Sequence, residues 1–180
     1  MRESCRFRVR STKVRFTRKG LSMHPTKNDL PEHVRFAMVE LLNSQLAVAI
    51  DLALQTKQAH WNVKGPHFMQ LHLFFDGLRD LVDGFVDDIA ERAVALGGTA
   101  YGTTQYVAKA TTLPEYSTSI TSGKDHLQAL VTAFAYFGKA ARAAIETADE
   151  AGDADTADLF TGISRETDKQ LWFLESHLIG

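Results

Sequence analysis

The sequence has a single cysteine, Cys5, and only four prolines among its 180 residues. One cysteine excludes an internal disulfide and suits a reducing compartment. There is no uninterrupted run of eighteen or more apolar residues, so no membrane span is expected. Several catalytic signatures are absent too: no His-Glu-x-x-His, no paired-cysteine zinc motif, no Gly-rich phosphate loop and no Gly-x-Ser-x-Gly elbow. Strand-like alternation is confined to Arg6-Phe7-Arg8-Val9-Arg10, for which no partner strand is in view. No internal repeat occurs, and the only compositionally biased tract is the N-terminal one.

What is present is ordinary for one soluble globular domain, with 44% hydrophobic and 23% charged residues. The net charge of −2 hides a strong asymmetry. Residues 1–22 carry eight basic side chains against Glu3 alone, whereas the remainder holds 12 basic and 21 acidic residues. An acidic body attracts cations and repels nucleic acid. The basic segment has no apolar h-region and is not a secretory signal. Three readings stay open for it: an arm that touches DNA phosphates, an organelle-targeting leader, or a stretch upstream of a true start at Met23. The expected division is a disordered basic leader over 1–28 and one helical domain over 29–180.

Hydrophobic period places the helices. The first starts near Asp29, with Pro31 in its opening turn, and turns Val34, Met38, Leu41, Leu42, Leu46, Ala49, Ile50 and Ala53 inward. It breaks at Lys64-Gly65-Pro66, where Pro66 can open the second helix. That helix has a stripe of Leu71, Phe74, Phe75, Leu78, Leu81, Val82, Phe85 and Ile89, and Gly97-Gly98 stops it. A Thr-, Ser- and Tyr-rich crossover over 99–121 is too long for a hairpin and has room for a short helix from Tyr106 to Ala110. The third long helix runs from Gly123 to Glu150, and the fourth follows a cap at Asp153 or Asp155. Four long helices with one long crossover between the second and third predict an all-α, ferritin-like four-helix bundle.

The second helix carries another stripe, His72, Asp76, Asp80, Asp83, Asp87 and Glu91, at steps of three and four residues. Carboxylates so spaced repel one another unless positive charge lies against them. Imidazole and carboxylate together suit iron, zinc or manganese, and His60 at the end of the first helix adds a second imidazole. His72 and Asp76 are one turn apart, as are Asp87 and Glu91. His72 and Asp87 lie about 22 Å apart along the helix axis, too far to share an ion. Two copies of the helix laid antiparallel and crossing near Leu81 would bring each pair against the other copy's complementary pair, making two identical sites per dimer. A carboxylate stripe is also what a plain solvated face looks like, and that reading stands beside the metal one. No glutamate is followed three residues later by histidine, so a di-iron site inside one bundle finds no support. Asp80, Asp83 and Asp88 read first as solubilising charges. His24, His67, His126 and His177 lack a carboxylate one helical turn away, and Asp29 near His33 suits a helix N-terminus.

The stretch from Lys57 to Phe68 (KQAHWNVKGPHF), the run Asp87-Asp88-Ile89-Ala90-Glu91-Arg92-Ala93 with Leu96-Gly97-Gly98, and Leu171-Trp172-Phe173-Leu174-Glu175-Ser176 resemble the Dps family, the DNA-binding proteins from starved cells. The resemblance covers residues 27–179. It implies a cytoplasmic, nucleoid-associated miniferritin, a homo-dodecamer with ferroxidase sites at its two-fold interfaces. Such a shell oxidises Fe(II), typically with hydrogen peroxide, and stores ferric mineral, which protects DNA. By the resemblance His60, His72 and Asp76 correspond to iron ligands from one chain, and Asp87 and Glu91 to ligands from its partner. Trp61 corresponds to a tryptophan that takes up oxidising equivalents, although plain aromatic packing accounts for it equally well. Many relatives bind DNA through a lysine-rich tail. Here the C-terminal Ile179-Gly180 offers none, so DNA contact is expected only through the basic leader. The alternative function is a nucleoid-binding shell without significant ferroxidase activity.

Overall fold

The computed structural model describes residues 23–179, so the expectations for residues 1–22 lie outside it. The described residues form five α-helices: α1 Glu32–Asn62, α2 Phe68–Ala95, α3 Thr104–Ala110, α4 Gly123–Ala151 and α5 Ala154–Ser176. Pairing of strand type among them is limited to one isolated parallel bridge, Lys64 with Ser122. The four long helices pack chiefly as α1 on α2 and α4 on α5, with α1 also against α4, and the short α3 in the crossover lies on α1. This is the all-α bundle with a long, partly helical crossover that the periodicity predicts.

Local chemistry sets the ends. Pro31 is the N-cap of α1 rather than a residue of its first turn. Pro66 lies in the α1–α2 connection, and α2 starts two residues after it, at Phe68. Gly97, at φ +89°, ends α2 in a left-handed turn, and a Cβ there would stand 2.7 Å from the His24 carbonyl oxygen. That crowding reflects the approach of residues 23–30, whose His24 amide donates to Gly97 O at 2.6 Å. Between α4 and α5, Gly152 takes φ 79° while the Asp153 amide reaches back to Ala148 O at 3.0 Å, closing the α4 C-terminus. Asp153 then caps α5 by accepting from the Thr156 amide at 3.1 Å. Ser122 caps α4 in the same way, accepting from the Asp125 amide.

The core is one continuous cluster from all four long helices, with Phe75, Phe134, Phe137 and Phe160 its largest fully buried side chains. α1 is the central element. By length and composition it would reach across a membrane, yet 61% of its most apolar window is buried inside the bundle. Its burial extends to polar side chains that periodicity alone assigns to the surface. Asn43, only 2% exposed, donates to Val39 O and Thr99 O and accepts from the Tyr101 amide at 2.7 Å. Farther along α1, Gln55 donates to Pro114 O at 2.9 Å, and Thr111 donates to Asp51 at 2.7 Å. Polar side chains of α1 therefore pin the start and the middle of the crossover, and nearly every hydrogen-bonding group of Asn43 is used.

Candidate metal centre

Antiparallel packing sets the last turns of α1 against the first turns of α2 across a five-residue connection, Val63–His67. The Lys64 amide fastens this connection to Thr121 O at 2.9 Å. Lys57 and His60 come from α1, His72 and Asp76 from α2.

The two histidines hold each other. His60 Nδ1 donates to the His72 carbonyl at 2.8 Å, and His72 Nδ1 donates to the His60 carbonyl at 2.9 Å. Their rings stack with centroids 3.7 Å apart and 23° between planes. Phe68 flanks the His72 ring at 5.1 Å. With Nδ1 of each ring committed to a backbone oxygen, Nε2 is the nitrogen each can present to an ion. Asp76 completes the group, with Oδ1 3.7 Å from His60 Nδ1. Asp76 Oδ1 also accepts from Lys57 Nζ. This hydrogen bond, opposed by some desolvation and aided by the charges of the nearby histidines and lysine, holds the Asp76 carboxyl below the usual carboxylate range.

The structure thus brings His60, His72 and Asp76 together and leaves Asp87 and Glu91 apart from them, exposed on later turns of α2. Among the described residues of one chain, no three His, Cys, Asp or Glu side chains converge in a geometry that could hold a metal ion. Trp61 follows His60 in sequence, but its side chain is 65% exposed, so packing within its own subunit does not account for it.

The acidic stripe is partly neutralised. Lys57 faces Asp76, and Arg79 pairs with Asp83 at 2.6 Å while also donating to Ala53 O on α1. Asp80, Asp87, Asp88 and Glu91 are exposed. The apolar surface beside these groups is exposed as well: Leu54 and Trp61, one above the other on α1, and Met69 and Leu73 at the start of α2. Leu81, the expected crossing point of a helix pair, is half-buried.

Two features escaped the sequence reading. Lys57 is one turn before His60, and the need for a cation against the carboxylates was its only signal. The other is a pair away from the site: the buried His126 on α4, 1% exposed, bonds through Nδ1 to the hydroxyl of the half-buried Tyr116 at 2.5 Å. Burial pushes the His126 imidazole below its usual range and the Tyr116 phenol above its own.

A family model described as "Ferritin-like domain" matches residues 39–179. The chain is 49% identical over 158 residues to the "DNA protection during starvation protein" of Agrobacterium fabrum, covering 88% of this chain and 98% of that protein. Among solved structures, DpsA14 from Streptomyces coelicolor superposes with a TM-score of 0.84 at 33% identity, covering 89% of this chain and 95% of that one. The Dps protein of Vibrio cholerae, described as a member of a superfamily of ferritin-like diiron-carboxylate proteins, superposes with a TM-score of 0.82 at 27% identity, covering 88% and 99%.

Proposed function

This chain belongs to the Dps family of ferritin-like proteins, and from that premise we propose that it oxidises ferrous iron at sites shared between two subunits and stores the ferric product inside a dodecameric shell. As a miniferritin of this family it is an iron-related, DNA-protecting protein of the cytoplasm. The finer claims concern chemistry and assembly, and one observation carries them. His60 and His72 hold each other through reciprocal Nδ1 bonds to backbone carbonyls, and Asp76 Oδ1 lies 3.7 Å from His60 Nδ1.

His60, His72 and Asp76 would bind iron from one subunit, and Asp87 and Glu91 from the other. Two-fold pairing of α2 supplies the second half of the donor set that a single chain lacks. Imidazole and carboxylate donors suit iron as substrate in both oxidation states. Two ferrous ions each give up one electron, and hydrogen peroxide takes up both with two protons to become two waters. Trp61, exposed and next to His60 in sequence, would accept oxidising equivalents that escape the iron. Stopped-flow ultraviolet absorbance after mixing Fe(II) and peroxide tests the activity. Oxidation no faster than in buffer would refute it.

A second reading, a nucleoid-binding shell with an idle metal site, is favoured only by the basic charge of residues 1–22. The acidic remainder of the chain weighs against DNA contact anywhere else.

A further inference from the structure

Away from the metal centre, four elements surround a cavity of about 350 Å³. The α1–α2 connection supplies Lys64 and His67. The first turns of α2 and α4 supply Leu71, Lys124 and Leu127, and His177, the C-cap of α5, completes the lining. Leu71 and Leu127 are buried, whereas the four basic side chains are exposed. Among the described residues no Asp or Glu lines the cavity, and neither lysine is in an ion pair. Such a surface is out of keeping with a chain whose residues 23–180 hold 12 basic and 21 acidic side chains. We propose that this cavity is an anion site that takes a phosphate dianion, free or as the head of a small monoester. It shares no residue with the metal centre and does not depend on that reading.

Charge sets the sign of the ligand. Two ammonium groups from different elements, each with three donors, suit a group with two negative charges and several acceptor oxygens. The positive end of the α4 macrodipole adds the same sign, since Ser122, its N-cap, also lines the cavity. Asp125, one residue after Lys124, accepts from Ser122 Oγ at 2.7 Å and lines a separate cavity. Two parts of the wall are held in place by the protein itself. The Lys64 amide donates to Thr121 O at 2.9 Å, which ties the α1–α2 connection to the approach of α4. His177 donates through Nδ1 to Phe173 O at 2.7 Å and stacks on Phe74 with ring centroids 5.1 Å apart, leaving Nε2 uncommitted. Size and apolar lining set the rest. The volume is in the range of small-molecule sites and larger than a lone phosphate fills. Leu71 and Leu127 would cover an apolar body attached to the charged head.

The test is isothermal titration calorimetry of the full-length, metal-free protein in about 0.15 M salt, where loose surface charge is largely screened. The probes are phenyl phosphate and inorganic phosphate. Phenyl phosphate is expected to bind saturably, one per chain, and about tenfold more tightly than inorganic phosphate because its ring is buried. Inorganic phosphate binding equally well would sustain the site with free phosphate as its ligand. Lys64→Gln and Lys124→Gln are each expected to weaken binding about tenfold, the scale of one charge-assisted hydrogen bond. Two independent variants are used so that one poorly assembling protein does not decide the outcome. Lys139→Gln, on an exposed part of α4 outside the cavity, is expected to bind as the wild type does. No saturation by either probe at millimolar concentrations would overturn the proposal. So would wild-type binding in both cavity variants, or a loss in Lys139→Gln equal to theirs.

Discussion

His60 and His72 each hold the other's ring through a backbone carbonyl, at 2.8 and 2.9 Å. The two bonds tie the end of α1 to the start of α2 and leave Nε2 as the uncommitted nitrogen of each ring. Replacing one histidine by alanine therefore removes a proposed ligand and the ring stacked on its neighbour, while the backbone carbonyl that holds the remaining ring stays in place. His72→Ala is expected to slow ferrous oxidation roughly a hundredfold, as judged from what loss of an orienting partner alone costs a metal site. Stability should fall by only about 1 kcal/mol, the worth of one exchanged hydrogen bond in a half-buried place. Stopped-flow absorbance and thermal unfolding measure the two effects separately.

At the opposite end of the bundle, Arg92 of α2 pairs with Asp153, the α5 cap, at 2.6 Å and donates to Thr156 Oγ1 at 3.0 Å. Asp153 is 2% exposed. Arg92→Ala would leave a buried carboxylate without its cation, and stability is expected to drop by about 3 kcal/mol. Chemical denaturation checks this. Ferrous oxidation by the folded fraction should be unchanged, because Arg92 belongs to no proposed site.

The Asp153 cap and the Gly152 break were legible because capping and left-handed turns are local, written in three or four consecutive residues. The apolar stripe of α2 was legible because one face of that helix is buried. α1 was harder. It is buried nearly all round, and Asn43 and Gln55 look like surface residues until the crossover supplies their partners. His126 has no carboxylate one turn away to mark it in the sequence, and its partner Tyr116 comes from the crossover. Lys57 escaped for a related reason: a long side chain's partner on another helix leaves no periodic trace. The ligand spacing on α2 could be read directly, but a ligand set divided between chains can be read only as a symmetry argument.

The buried His126 implies a particular pH response. Burial lowers its folded-state pKa below the unfolded value, so the unfolded chain binds more protons over that interval. Stability is therefore expected to fall as pH drops through the ordinary histidine range, about 6.5, towards the lower folded value. His126→Gln keeps a polar group near Tyr116 without titrating. Its melting temperature should vary less between about pH 7 and pH 5 than that of the wild type. An identical slope would show that His126 does not govern this response.

Residues 1–22 hold the concentrated positive charge of the chain. If DNA is bound through them, affinity should fall steeply with salt, because each neutralised phosphate releases counterions. Deleting residues 1–22 should abolish the gel shift and leave ferrous oxidation intact. A shift that survives the deletion would place DNA contact on the acidic body instead.

The claim that His72 and Asp87 of different subunits serve one ion is tested most directly by mixing two inactive variants. His72→Ala and Asp87→Ala proteins are unfolded together and reassembled, so that some dimers contain one chain of each. Such a dimer keeps one intact site, built from His72 of the second chain and Asp87 of the first, and loses the other. Mixed dimers are expected to regain about half the wild-type rate of ferrous oxidation, while each variant reassembled alone stays inactive. No recovery in verified mixed dimers would contradict the shared site.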